Sequence, residues 1–459
     1  MRARRLWVAT WGVALVGLTG LAAPTLGGAV SPGSAGLGDP FFPKAGNGGY
    51  DVSRYSLRMK LGPKARRLRA TAKIKATATQ DLSRFNLDYN GPRVRSVRVE
   101  GDRARFRHRR SELGISPRQG IVAGDEFTVR VRYAGRPHRL SGPDGAEGWV
   151  RTEDGAFVAG QPLGSKTWFP CNNTPTDKAT FAFRVTVPRK LKAIANGRLE
   201  RRIKRRRRTT YVWRENDPMA AYLATVTTGR FRLSRSVIAG MPNVVAVDPK
   251  ERRAGVRRTR GILELFGSLF GPYPFDDVGA IVDHAPAVGY ALETQTRPIY
   301  DDSPSHGLVA HELAHQWFGN SVSLEGWPDI WLNEGFATWA EWRWHQRSDG
   351  QTTAAKFDRL YETPADKARF WNPPPGDPGR PGNLFDGTIY VRGAMTLEVL
   401  RQEVGEATFL EILREWTDRY AYANASTDDF IALAEEISGE SLDALFDAWL
   451  FTRGKPPPP

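Results

Sequence analysis

The sequence predicts an α+β protein, with an N-terminal antiparallel β-sheet domain followed by a mainly helical domain. Apolar residues alternate at period two through the first half and recur at helical spacing through the second. The length of 459 residues suits two domains better than one. Hydrophobic residues at 40% and charged residues at 25% exclude a wholly disordered chain and a multi-span membrane protein.

The β elements come first. Tyr55, Leu57, Met59 and Leu61 alternate, as do Leu68, Ala70, Ala72, Ile74 and Ala76. Phe127, Val129, Val131 and Tyr133 repeat the pattern, and so do Phe181, Phe183, Val185 and Val187. Each run presents one face to a core and one to water. These strands define a β domain over 45–230, preceded by a Gly, Pro and Ser-rich lead-in over 30–44. From about residue 250 the pattern turns helical. Ile262, Leu263, Leu265, Phe266 and Leu269 open it, and segments near 306–319, 333–347, 388–404, 407–420 and 427–450 continue it. The second domain therefore spans 231–455, and 456–459 is a stiff proline tail.

Three features bear on location and partners. Residues 1–29 read as a signal peptide: a basic head at Arg2, Arg4 and Arg5, an apolar stretch from Leu6 to Ala23, and small residues at Gly27-Gly28-Ala29. The expectation is a secreted, extracellular protein. The alternative is an N-terminal membrane anchor facing outside, since the apolar stretch is just long enough to span. Cys171 is the one cysteine, which excludes an intrachain disulfide and a cysteine-only metal site. The formal charge of +16 permits loose contact with an anionic cell surface but names no partner. Within the β domain, the basic run Arg201 to Arg208 reads either as an anionic contact or as a solvated hairpin tip. No aromatic residue interleaves it, so no specific nucleic-acid site is expected.

The chemistry concentrates in His311-Glu312-Leu313-Ala314-His315. Residues four apart on a helix share a face, so both imidazoles can reach one metal ion with Glu312 aimed at its water. Leu308, Val309, Leu313, Ala314, Trp317 and Phe318 supply apolar surface to bury the helix. Glu334 follows in Trp331-Leu332-Asn333-Glu334-Gly335-Phe336-Ala337 and can arrive as a third ligand from a second helix. Two imidazoles and one carboxylate leave a coordination position open, which suits catalytic zinc. Glu341, two turns beyond Glu334, reads equally as a group orienting a ligand histidine or as a surface charge.

These residues resemble the aminopeptidase N family of zinc metallopeptidases, gluzincins that include the leukotriene hydrolase branch. His311 to Asn320 and Trp331 to Ala337 resemble its core blocks, with eighteen residues between His315 and Glu334. Asn47-Gly48-Gly49-Tyr50-Asp51-Val52, Trp168-Phe169-Pro170-Cys171-Asn172, Asp177-Lys178-Ala179-Thr180, Ala221 to Gly229 and Tyr390-Val391-Arg392-Gly393-Ala394 resemble others. The family carries Gly-Ala-Met-Glu-Asn upstream of its zinc helix. This chain has Tyr290-Ala291-Leu292-Glu293-Thr294, which keeps the glutamate and replaces its flanking Gly and Asn.

The resemblance implies a saddle-like β domain and a thermolysin-like catalytic domain holding one Zn2+ per chain. It implies zinc ligands His311, His315 and Glu334, Glu312 as the base, and Tyr390 as the oxyanion donor. Glu293 would bind the free α-amine of the substrate, and Gln161, eight residues before Phe169, would assist it. The activity implied is zinc-dependent removal of N-terminal amino acids from peptides with a free N-terminus, by a zinc-activated water. It also implies a short form without the family's C-terminal helical domain, and so a more open cleft. A non-catalytic relative using the fold as a scaffold, and a salt-sensitive anionic-surface binder, are the other classes. Epoxide hydrolysis belongs to one branch, and no residue here singles it out.

Overall fold

The computed structural model describes residues 30–458; the signal-peptide segment expected over 1–29 lies outside the described residues. No helix among the described residues is long and apolar enough to cross a membrane.

An eight-stranded sheet dominates the first half. Its strands run in the order Arg198–Lys204, Arg208–Ala220, Lys178–Pro188, Tyr50–Leu61, Leu68–Ala78, Glu126–Gly135, Val94–Val99 and Asp102–Arg103. The alternating residues of the sequence fill one face: Tyr55, Leu57, Ile74, Val131, Phe181 and Val185 are all buried. One pair, Lys178–Pro188 on Tyr50–Leu61, runs parallel, because a long intervening stretch returns the chain to the same end of the sheet. The basic run is a hairpin. Arg198–Lys204 pairs with Arg208–Ala220, and Arg205 N–H donates to Arg208 C=O across the tip.

Two smaller sheets complete this half. One has five strands, among them Ala146–Arg151, Ala156–Ala159 and Val226–Gly229. The other has four, among them Leu82–Asp88, Glu112–Ser116 and Arg105–Arg109. Polar residues from separate sequence blocks join between them. The buried Asp88 carboxylate accepts from Gly46 N–H, Asn47 Nδ2 and Asn173 N–H. Asn172 Nδ2 donates to Asp177 at 2.6 Å, and Asp177 also accepts from Val52 N–H.

The second half begins with a four-stranded sheet of Arg232–Ile238, Met241–Val247, Val278–Val282 and Ile299–Tyr300. The last two strands lie inside the stretch read from sequence as helical. Val278–Val282 is buried at every position, so it shows no alternation to mark it as a strand. The helices include α1 Thr259–Phe270, α2 His306–Ala314, α3 Trp331–Asp349, α4 Thr353–Tyr361, α5 Ala368–Trp371, α6 Gly387–Arg419 and α7 Thr427–Ser438, of which α4 and α5 lie outside the segments read as helical from the sequence. The two segments expected near 388–404 and 407–420 form one run, broken only at Gly405 with φ +80°.

Buried cations lock the parts together. Arg297 donates to Ala195 C=O at 2.5 Å, Gly197 C=O at 2.9 Å and Val244 C=O at 3.3 Å, and lies 4.8 Å from the Trp213 ring centre. Lys178 Nζ donates to Ser321 and Ala423 carbonyls, each at 2.8 Å, and burial lowers its pKa to about 7. Arg392 on α6 spends its guanidinium on the carbonyls of Trp371, Ala448, Trp449, Thr452 and Gly454.

Burial raises several carboxyls, and Asp177 reaches about 8. A carboxyl raised on folding makes the native state hold more protons than the unfolded chain between about pH 4 and pH 8, so its stabilising effect fades as pH rises through that window. Asp177→Asn keeps an acceptor for Val52 N–H but cannot titrate. We expect the loss of urea stability between pH 5 and pH 8 to be smaller in Asp177→Asn than in the wild type. An unchanged pH slope would remove Asp177 from this role.

Candidate metal centre

α2 starts at Ser305, whose hydroxyl accepts from Leu308 N–H at 3.1 Å. The helix is short and buried on most sides, and it ends at His315. One turn apart on its inner face, the His311 and His315 rings lie 4.8 Å apart, centre to centre. α3 brings Glu334 in its first turn, where the helix dipole favours a carboxylate. Glu334 Oε2 sits 3.3 Å from His311 Nε2 and 3.3 Å from His315 Nε2. One ligand atom from each of the three lies within 4.8 Å of the others.

The donor set fits zinc. Ligand atoms at about 2.0–2.1 Å from one tetrahedral ion stand about 3.3 Å apart, close to the spacing seen here. Tautomers fit as well. His315 Nδ1 is 3.1 Å from Phe318 C=O, a contact in which Nδ1 carries the proton and leaves the Nε2 lone pair facing Glu334. His311 Nδ1 has Glu341 Oε2 behind it at 3.7 Å. Glu341 thus lies beside the ligand imidazole while about 30% of its side chain stays exposed.

Electrostatics follow from burial. Desolvation works to raise the Glu334 carboxyl, but His315 and the His311 contact outweigh it and hold the group below the ordinary range. His315 is the mirror case: burial lowers its pKa, and the Glu334 charge more than reverses this. Two mutually charged partners already stand where a divalent cation would replace protons.

Glu312 points into the same cavity, of about 840 Å³. Its Oε2 is buried with no hydrogen-bond partner. Burial raises its pKa well above the carboxylate range, with His315 opposing. A raised, unpartnered carboxyl beside a metal-ligand cluster is placed to exchange a proton. Tyr390, from the first turn of α6, stacks on His311 with ring centres 5.9 Å apart and planes at 23°. Burial, then the Glu334 charge, keep its hydroxyl protonated and available as a donor.

Glu293 and Gln161 come from distant segments and meet at the cavity wall, Gln161 Nε2 donating to Glu293 Oε1 at 2.9 Å. The Glu293 segment hangs on the metal helix's exit turn. Its carbonyl accepts from Gln316 Nε2 at 3.2 Å and Asn320 Nδ2 at 2.8 Å. Sequence reasoning did not single out Gln316 or Asn320 for this task, because a side-chain clamp on a remote carbonyl has no local signature. It also passed over Asp144, Asp301 and Asp302, which line the cavity with no lysine or arginine among them.

α3 meets α6 at Gly335 and Gly393. A Cβ on Gly335 would stand 2.9 Å from the Gly393 carbonyl carbon, and one on Gly393 would stand 3.0 Å from Gly335 Cα. Neither helix can carry a side chain there without moving, and Glu334 and Tyr390 ride on those two helices.

A histidine pair four apart on one helix, completed by a glutamate from the next, defines the gluzincin class of metal site. Two family models agree with it: the peptidase M1 N-terminal domain matches residues 52–223, and the peptidase family M1 domain matches residues 289–449. The chain belongs to peptidase family M1. It is 31% identical over 336 residues to aminopeptidase M1-D of Oryza sativa subsp. japonica, covering 66% of this chain and 38% of that protein. It thus spans well under half the length of this curated relative. Among solved structures it is similar to an M1 zinc metallopeptidase from Deinococcus radiodurans, with TM-score 0.84 and 28% identity over 92% of this chain and 98% of that one. A substituted M1 zinc metallopeptidase from the same organism, bound to a Tyr-Ser-Ala substrate, gives TM-score 0.83 at 28% identity over 92% of this chain and 99% of that one.

The helix crossing yields a test. Gly335→Ala should cost about 1–3 kcal/mol through overpacking, read as a lower urea midpoint. It should also weaken zinc, read by competition with a chromogenic chelator. Unchanged stability and unchanged zinc affinity would show that the crossing tolerates a side chain.

Proposed function

We propose that this protein is a zinc-dependent aminopeptidase acting on peptides with a free N-terminus. The observation that carries the reading is the Gln161–Glu293 pair on the wall of the cavity that holds His311, Glu312, His315, Glu334 and Tyr390. A carboxylate fixed there grips an α-ammonium and sets the first peptide bond, and no later one, at the reacting position.

His311, His315 and Glu334 would hold the ion, which when bound supplies Lewis acidity to the substrate carbonyl and to water. The protein residues do the rest. Glu312 takes a proton from the attacking water and returns it to the leaving amine, a task suited to a carboxyl whose pKa burial has raised. The Tyr390 hydroxyl donates to the oxygen on which charge develops. Glu341, 3.7 Å from His311 Nδ1, supports that ring through its charge without a direct hydrogen bond. Asp144, Asp301 and Asp302 give the cavity a negative lining, which favours a cationic chain end in an otherwise basic protein.

Export is part of the same proposal. The basic head and apolar stretch of residues 2–29 support an extracellular protein, released or anchored by its N-terminus, and fractionation of cells and medium distinguishes the two.

A panel of aminoacyl-anilides with and without chelator tests the activity directly: hydrolysis lost with chelator and restored by zinc is expected. Glu312→Gln should keep one zinc per chain and lose turnover by roughly 10²–10⁴-fold; near-normal turnover would take Glu312 out of the base role. Glu293→Ala should depress hydrolysis of unblocked peptides far more than of N-acetylated ones. Equal losses on both would contradict the amine anchor.

A further inference from the structure

The eight-stranded sheet turns its second face to solvent, and register sorts that face by charge. One row across the strands reads Arg201, Val212, Arg184, Arg58, Thr71 and Arg132. The next reads Arg214, Ala182, Ser56, Lys73 and Arg130. Small residues at Ser56, Thr71 and Ala182 separate the long cations. They leave a concavity of about 590 Å³ lined by Arg58, Lys73, Arg130, Arg132 and Arg184, with no carboxylate in its wall. Among the described residues none of these five cations has a salt-bridge partner.

Acids stay at the margins. Glu126 pairs with Lys75 toward one end of the strands, and Glu200 pairs with Arg214 near the edge. At the opposite end from Glu126 stands the hairpin tip, where Arg208 reaches over to Leu61 C=O at 2.9 Å and Arg205 to Arg207 form the turn. Positive charge therefore runs from the tip into the groove.

We propose that this groove is a docking face for a flexible, linear phosphodiester polymer without bases, with the Arg205–Arg207 tip extending its track. Neighbouring strands lie about 4.8 Å apart and successive outward residues nearly 7 Å apart, so the cations form a lattice that an extended chain of phosphates can follow. Bases would find nothing to stack on: the aromatic residue in the lining, Phe183, is wholly buried. A bilayer is a poor fit too. The five cations are exposed on a twisted sheet, and none of the exposed large apolar side chains among the described residues belongs to this face to enter a hydrocarbon layer.

The test uses the whole chain and synthetic poly(glycerol phosphate) as probe, with fluorescence anisotropy as readout. Binding should weaken steeply with salt. In Arg58→Glu/Arg130→Glu, affinity at low salt should fall by roughly tenfold or more, and the slope of log K against log salt should shrink by about one to two. Aminoacyl-anilide hydrolysis should be unchanged, which shows that the variant folds. Arg369→Glu/Arg453→Glu, an equal change of charge on exposed residues elsewhere, should leave binding nearly intact. An equal loss in that control would show a response to net charge alone and overturn the groove. So would absence of binding by the wild type, undiminished binding by the groove variant, or tighter binding to anionic vesicles or duplex DNA than to the polymer.

Discussion

Glu334 is a carboxylate pressed between two imidazoles in a place with little water. A lone charge so deeply buried would cost several kcal/mol, so the three groups are stable only together, sharing protons or a cation. Much of the second half can be understood as the means of bringing them there. α2 stops at His315 so that its exit turn can fold back. α3 starts close enough for its first-turn carboxylate to arrive at both Nε2 atoms. α6 lies against α3 at a pair of glycines, which sets Tyr390 over His311.

The first half is part of this machinery. Gln161 comes from it and meets Glu293 across 132 positions of sequence. Arg297 and Lys178 bind backbone carbonyls on the other side of the boundary, so the two halves cannot slide without stranding a buried cation. The cavity wall is thereby held to hydrogen-bond tolerance, although its parts come from both ends of the chain.

Legibility in the sequence followed the range of each interaction. The histidine pair is local: a spacing of four on an apolar helix is visible in five letters. The long strands were visible because one face is buried and the other wet. Glu334 was readable from its block, and Tyr390 and Gln161 only through resemblance, since a tyrosine on an amphipathic helix and a loop glutamine carry no signal of their own. Glu341 had two readings, and only coordinates put it behind His311. The strands Val278–Val282 and Ile299–Tyr300 were invisible, being fully buried or only two residues long. Gln316, Asn320 and Arg297 act on carbonyls far away in sequence, and no window of residues reveals such a partner.

Arg392 ties the helix that carries Tyr390 to a segment much later in the sequence. It sits two positions past Tyr390, yet four of the carbonyls that satisfy it are made 56 to 62 positions later. Of the five carbonyls around its guanidinium, only that of Trp371 comes earlier in the sequence. The segment from Ala448 to Gly454 therefore helps seat that helix, and a cut before it would leave a buried cation short of four acceptors two positions from the tyrosine over His311.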